Sequence, residues 1–321
     1  MVMSIEALPR RATDLPGSRR NGTLLGIAFA AAGMACVGSS VAVSTAITDA
    51  PLFTLQAVRY ALAALLLLVV ARVTGWRVPR PRGREWRWLA GVATAGLVLF
   101  NVGVVRGVAH AEPAVIGVAV AAVPMLLAVV PAIATRTLPA RPVVVGATVV
   151  TAGAVLVQGF GRTDAAGIGY ALLVLACEAG FTLLAIPVLA RLGAFGVSFH
   201  AVWMAAAGMA VVGVATEGPA AVTTLGTGDL LAALYLAVVV TTLAFLLWFT
   251  AVNRLGSGRA GLLTGVVPVT AAALAIPLDG TVPNPLVWAG TAVVAVGLCI
   301  GLGGVLPRVR RSAPLAAHPG P

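Results

Sequence analysis

The sequence carries too little charge for a soluble protein. Of its 321 residues only 10% are charged, while 60% are hydrophobic. A soluble globular domain has roughly 25% charged residues. All 21 basic residues are arginine, and the net charge is +11. This composition excludes a water-soluble globular fold, because the polar residues are too few to cover a protein of this size.

Cysteine and catalytic motifs are also scarce. The three cysteines, Cys36, Cys177 and Cys299, lie inside apolar segments without metal-ligand spacing, which argues against a zinc site or a disulfide framework. The sequence contains no nucleotide-binding loop and no nucleophile–base pair. We therefore expect no cofactor and no resident metal, and neither an enzyme nor direct ATP drive is favoured.

Long apolar runs occupy most of the chain. A membrane-spanning helix needs about 20 predominantly apolar residues. Ten segments meet or approach this length, which predicts an all-α membrane protein with ten transmembrane helices. The predicted segments are roughly 24–47, 52–73, 88–107, 113–134, 143–160, 167–190, 195–216, 229–252, 259–278 and 285–305.

The sequence pattern repeats after 144 residues. Without a gap, this shift places Gly117 on Gly261 and Pro124 on Pro268. The further matches are Pro139 with Pro283, Gly146 with Gly290 and Gly153 with Gly297. We expect two five-helix repeats, 22–160 and 161–305, flanked by tails 1–21 and 306–321. Five crossings per repeat make the two copies inverted, an arrangement typical of carriers with a site between the halves.

The arginines indicate the orientation. With the N-terminus inside, 18 of the 21 arginines fall at cytoplasmic ends, where the positive-inside rule expects them. Arg106 and Arg162 are external, and Arg59 lies within a span. Both tails are therefore predicted to be cytoplasmic. Topology and anionic lipid account for the positive charge, so nucleic acid is not an expected partner.

Three segments resemble a known family. Residues 251–275, AVNRLGSGRAGLLTGVVPVTAAALA, are close to the last helix–turn–helix block of the EamA-type permeases of the drug/metabolite transporter superfamily. Residues 286–302 and 51–68 extend the resemblance, and Arg59 matches an arginine that the family often has in its second helix. The resemblance covers nearly all of residues 24–305. It implies export or exchange of small metabolites, amino acids or drugs across the bacterial inner membrane, often linked to protons.

The chain departs from this family at two turns. The family commonly has a Gly-Glu pair after the fourth and ninth helices. Here those places read Thr135-Arg136-Thr137 and Asp279-Gly280-Thr281. The departure argues against a close subfamily assignment.

Two charged residues lie deep within predicted spans. Arg59 is about 12 Å and Glu178 about 16 Å from the outer surface, by the helical rise of about 1.5 Å per residue. Intramembrane charges usually face the protein interior or an aqueous cavity. Arg59 fits contact with an anionic substrate group, or a fixed internal clamp. Glu178 fits proton coupling, or a partner for Arg59. We expect the two to share a cavity and to pair in one state.

Four uncharged residues complete the candidate substrate or coupling site. Asn101 and Gln56 are polar side chains that either contact a ligand or hydrogen-bond between helices. Trp203 lies deeper than the interfacial tryptophans and could line a cavity, and Tyr235 fits either the interface or an external vestibule. The neighbouring threonines Thr241 and Thr242 are left out, because such hydroxyls often bond their own helix.

Proline and glycine mark two further features. Pro124 and Pro268 occupy equivalent places in the fourth and ninth spans, where a proline kinks the helix. They are either paired hinges or proline kinks without a function. Gly297 and Gly301 allow a close helix approach, with a homodimer contact as one alternative.

Together these features favour a secondary transporter that works by alternating access, with possible proton coupling. Its expected partners are a small-molecule substrate and the lipid bilayer. A passive channel or a scaffold protein is the alternative.

The orientation can be tested with reporter fusions. One fusion to the C-terminal tail and one near Asp164 should report opposite sides of the membrane, because an odd number of crossings separates them. If both reporters are found on one side, the inverted arrangement is wrong.

Overall fold

The computed structural model describes residues 16–40, 50–279 and 283–303. Ten of its helices are long and apolar enough to cross a membrane. This confirms the predicted all-α fold with ten spans. The end of the first predicted segment, most of the predicted N-terminal tail and all of the predicted C-terminal tail lie outside the described residues. The helices are α1 (Pro16–Gly38), α2 (Leu52–Thr74), α3 (Glu85–Gly107), α4 (Pro113–Ala134), α5 (Arg141–Gln158), α6 (Ala165–Leu183), α7 (Ile186–Thr216), α8 (Thr227–Leu255), α9 (Ser257–Pro277) and α10 (Pro285–Leu302).

The boundary between α6 and α7 differs from the sequence prediction. The sixth span was expected to run to residue 190, but α6 ends at Leu183 and α7 begins at Ile186. The backbone then leaves the helical region at Gly193, with φ 67° and ψ 173°. A positive φ favours glycine. The apolar residues after Leu183 therefore form a short arm before the main part of α7, which hydropathy alone does not distinguish from the end of α6.

The fifth helices of the two repeats pack directly against each other through glycines. A Cβ added to Gly153 would lie 2.6 Å from the backbone nitrogen of Val294 in α10, and one added to Gly297 would lie 2.7 Å from that of Val150 in α5. Gly146 is equally close to the backbone of Gly301. Gly297 therefore faces α5, and Gly301 contacts Gly146 of α5 and Leu262 of α9 in the same chain. These contacts correct the alternative that the two glycines form a homodimer contact.

The second helices of the repeats, α2 and α7, also form a pair. Glu217, at the end of α7, caps the first turn of α2. Its carboxylate accepts hydrogen bonds from the backbone N–H groups of Phe53 and Thr54 at 2.9 and 2.8 Å, and from the Thr54 hydroxyl at 2.7 Å. A carboxylate at a helix N-terminus satisfies donors that the helix leaves free and complements its dipole. This contact joins the two repeats at the predicted outer side.

Two loops on that same side are joined by an ion pair and by a histidine–aspartate contact. Arg162 Nε donates to Glu112 Oε1 at 2.8 Å, and His110 Nδ1 lies 3.0 Å from Asp164 Oδ2. The Arg162 hydrogen bond holds the pKa of Glu112 below its usual value. The pKa of Asp164 is lowered first by the backbone N–H of Gly167, which it caps, and then by His110. Both carboxylates are thus favoured in their charged forms at neutral pH.

The α5–α10 contact predicts a position-specific effect on stability. Gly153→Ala should lower the melting temperature of the purified protein, because its added Cβ would overlap the α10 backbone. Overpacking of this kind costs about 1–3 kcal/mol or more. Gly169→Ala in α6 is the matched control, since nothing lies within 4 Å of the added Cβ. Equal melting temperatures for the two variants would contradict the close helix pairing.

Candidate functional site

A central cavity with two adjoining lobes lies between the repeats. The first lobe, of about 120 Å³, is lined by α1, α2, α3, α6 and α8. The second lobe, of about 160 Å³, is lined by α1, α3, α4, α5, α6 and α9. Met34, Val37, Phe100 and Glu178 line both lobes. Helices of both repeats therefore enclose one space, as a site served by inverted halves requires.

Arg59 lines the first lobe, and two hydrogen bonds hold its guanidinium. Nε donates to the hydroxyl of Thr241 in α8 at 2.7 Å, and Nη1 donates to Gln56 Oε1 at 3.2 Å. The guanidinium also lies 5.2 Å from the centre of the Tyr60 ring. A guanidinium within a membrane span needs these partners, because a buried charge without hydrogen-bond partners costs free energy.

Asn101 continues this chain of hydrogen bonds into α3. Gln56 Nε2 donates to Asn101 Oδ1 at 2.8 Å. Asn101 Nδ2 donates to the Tyr60 hydroxyl at 3.0 Å and to the Leu97 carbonyl at 2.6 Å. The sequence-predicted candidates Gln56, Arg59 and Asn101 are thus in direct contact, and together they form one polar wall of the first lobe.

Glu178 lies where the two lobes meet. It is half-buried, and it shares the first lobe with Arg59. In the part of the chain that the structure describes, no ion pair or hydrogen bond joins Glu178 to Arg59. The structure therefore brings the two charges to one cavity, and it shows a state in which they are not paired.

The third helices of both repeats contain a π-helical turn beside this site. These turns span Thr94–Leu99 in α3 and Leu236–Leu243 in α8. Gly96 and Leu97 from the first turn and Val240 from the second line the first lobe. π-helical turns are rare and occur often at functional sites.

The fourth and ninth helices are interrupted beside the second lobe. Helix α4 breaks at Ala122, just before Pro124, and α9 passes through a 3₁₀ turn at Leu263–Gly265, just before Pro268. Pro124 is buried, and Pro268 lines the second lobe itself. Both predicted hinge residues therefore follow a helix interruption at equivalent places in the repeats.

The comparisons agree with this architecture. The model of the EamA-like transporter family matches residues 24–158 and 165–302, one match for each repeat. The chain belongs to the EamA-like transporter family. It is thus a multi-pass membrane transporter of the drug/metabolite superfamily, as the resemblance in the sequence predicted.

Two other proteins are similar to this EamA transporter over most of their length. The uncharacterized transporter YetK of Bacillus subtilis (strain 168) is 25% identical over 306 residues, which cover 90% of this chain and 88% of YetK. A crystal structure described only as that of a protein shares the fold, with a TM-score of 0.75 and 19% identity. That match covers 90% of this chain and 100% of the other.

The last two candidates of the EamA transporter's predicted site do not line its central cavity. Trp203 is 38% exposed, donates to His200 Nδ1 at 3.1 Å and lies beside Trp86. It lines a separate groove between α3 and α7. Tyr235 donates its hydroxyl hydrogen to Ser39 Oγ at 2.8 Å. The structure therefore separates both residues from Arg59 and Glu178.

Sequence analysis missed two residues of this site. Thr241 was set aside as a hydroxyl that would bond its own helix, yet it accepts the hydrogen bond from Arg59 Nε. Tyr60 was not singled out, although it is 2% exposed and accepts from Asn101. Both polar groups lie within spans, and no signal in the sequence shows that the Thr241 hydroxyl bonds Arg59 on another helix.

Proposed function

We propose that this protein is a secondary transporter that moves small metabolites, amino acids or drugs by alternating access and couples their export or exchange to protons. One observation carries the proposal: a cavity enclosed by both repeats contains one cationic and one acidic side chain, Arg59 and Glu178, among its described lining residues.

Arg59 is suited to bind an anionic group of the cargo. An arginine has five N–H donors, of which Nε and one hydrogen of Nη1 are used by Thr241 and Gln56. The remaining donors are available to a ligand. The aromatic side chains of Phe100, Phe181 and Phe245 line the same lobe and provide apolar contacts for the rest of a small molecule.

Glu178 is suited to carry the coupling proton. It lines both lobes and is the acidic side chain of the cavity. When ionised, it can pair with Arg59 in a state in which the helices bring them together. When it is protonated, Arg59 is free for the cargo. Exchange of these two states would link proton movement to cargo binding.

The interruptions at Pro124 and Pro268 support a hinge role for both prolines. A proline removes a helical hydrogen bond and permits bending, and both interruptions lie beside or near the second lobe. Bending of α4 and α9 would open the cavity to one side and close it to the other.

We propose that the protein lies in the bacterial inner membrane with both termini in the cytoplasm. This orientation puts 18 of the 21 arginines on the cytoplasmic side, as the positive-inside rule expects.

Transport by charge variants tests this proposal. Metabolite profiling of the medium of overexpressing cells, against cells lacking the protein, identifies a cargo for assays in proteoliposomes. Arg59→Ala should weaken cargo binding about 10- to 100-fold, since a hydrogen bond to a charged group contributes about 1.5–3 kcal/mol. Glu178→Gln should abolish transport driven by a pH gradient but keep exchange of cargo for cargo.

The controls are charge changes outside the cavity. Glu112→Gln removes an exposed loop carboxylate, and Arg87→Ala removes an exposed arginine at the start of α3. Both should transport like the wild type. Full pH-driven transport by Glu178→Gln would show that Glu178 does not couple protons. Unchanged transport by Arg59→Ala would remove the proposed anion contact.

A further inference from the structure

The two π-helical turns end at equivalent residues of the repeats, Leu99 and Leu243. In α3 the N–H of Phe100 bonds to the carbonyl of Ala95, five residues earlier. In α8 the N–H of Ala244 bonds to the carbonyl of Val239. The 144-residue shift places Ala95 on Val239 and Phe100 on Ala244. The same irregular hydrogen bond therefore occurs at equivalent positions of both repeats, and residues of both turns line the first lobe.

A continuous chain of side-chain hydrogen bonds connects these turns. It begins at the hydroxyl of Thr241, within the α8 turn, and passes to Arg59 Nε at 2.7 Å. It continues through Gln56 and Asn101 at 3.2 and 2.8 Å. It ends on the carbonyl of Leu97, within the α3 turn, at 2.6 Å. Arg59 thus links two π-helical turns that belong to different repeats.

We propose that Thr241 is the positioning residue for Arg59, and that the hydrogen-bond chain from Thr241 to Leu97 holds both π-helical turns in place. Its use during transport rests on the proposed function. A cargo anion binds the remaining donors of the guanidinium, and as Arg59 turns toward the cargo it leaves Thr241 and Gln56, so that both π-helical turns lose their link. Cargo binding thereby reaches both repeats through one side chain.

The neighbouring hydroxyl shows that the contact depends on position. Thr242 is buried, and its Oγ1 has no hydrogen-bond partner among the described residues. Two adjacent threonines in one turn thus differ: Thr241 holds Arg59, and Thr242 does not contribute to the chain. The pair provides a matched comparison with the same change in size and polarity.

Hydrogen exchange measured by mass spectrometry tests the proposal on the full-length protein in lipid nanodiscs, without cargo. Thr241→Val should speed amide exchange by about tenfold in the segments 94–101 and 236–246, which contain the two turns. The reason is that the loss of a charge-assisted hydrogen bond makes local opening easier. Thr241→Ser retains the hydroxyl and should restore the wild-type rates. Thr242→Val should leave both segments unchanged.

A variant at the other end of the chain makes the test independent of α8. Asn101→Leu should speed exchange in 236–246 as well as in 94–101. The proposal is overturned if Thr241→Val leaves both segments at wild-type rates, if each variant affects only its own helix, or if Thr241→Ser behaves like Thr241→Val. These outcomes concern the link alone, because the experiment needs neither cargo nor a pH gradient. Failure of the transport assays would instead contradict the proposed function and leave the link intact.

Discussion

A guanidinium within the membrane must find its hydrogen-bond acceptors inside the protein, because the hydrocarbon of the bilayer supplies none. Arg59 meets this requirement with Thr241 on α8 and Gln56 on α2, while Gln56 continues to Asn101 on α3. The hydrogen bonds of Arg59 and Gln56 therefore connect three helices, α2, α3 and α8, which belong to both repeats. The first lobe of the cavity lies beside these hydrogen bonds.

The symmetry of the fold is strong in its backbone and weak in its polar side chains. The pairs α2–α7 and α5–α10, the two π-helical turns and the two proline-linked interruptions all follow the repeat. Arg59 does not, since the 144-residue shift places it on Trp203, which lies outside the cavity. In a carrier with inverted repeats, the two halves can exchange conformations while the substrate site between them stays the same. That site can therefore be asymmetric in its side chains.

Much of the fold could be predicted from the sequence, because long apolar runs and repeated proline and glycine positions report spans and their equivalence. The positions of Arg59 and Glu178 in a cavity were also predictable. A charged side chain within a span is costly, so it usually faces the protein interior or an aqueous cavity. The π-helical turns were not, because they lie in apolar stretches whose composition also suits an α-helix. The position of Trp203 in a groove outside the central cavity was not predictable for a related reason. A spanning helix is apolar on its lipid face and on its core face, so periodicity does not show which side chain faces inward.

Thr241 shows the same limit for polar residues. Its hydroxyl can bond its own helix or another one, and only the position of Arg59 in space decides between them. Gly297 is a further example, because a close-approach glycine suits a helix of the same chain as well as one of a second copy. Local sequence thus indicated which residues were unusual, whereas the identity of their partners required the three-dimensional arrangement.

The most direct test of alternating access is the distance between spin labels at the two ends of α4 and α9. Labels at Pro113 and Ile276 report the predicted outer ends, and labels at Ile133 and Arg259 report the inner ends; all four positions are exposed. The labels are attached to cysteines introduced into a background that lacks the three native cysteines. Alternating access predicts that Glu178→Gln changes the distance between the outer labels and the distance between the inner labels in opposite directions, compared with the protein that retains Glu178. If both distances stay unchanged and each shows a single value, alternating access is contradicted.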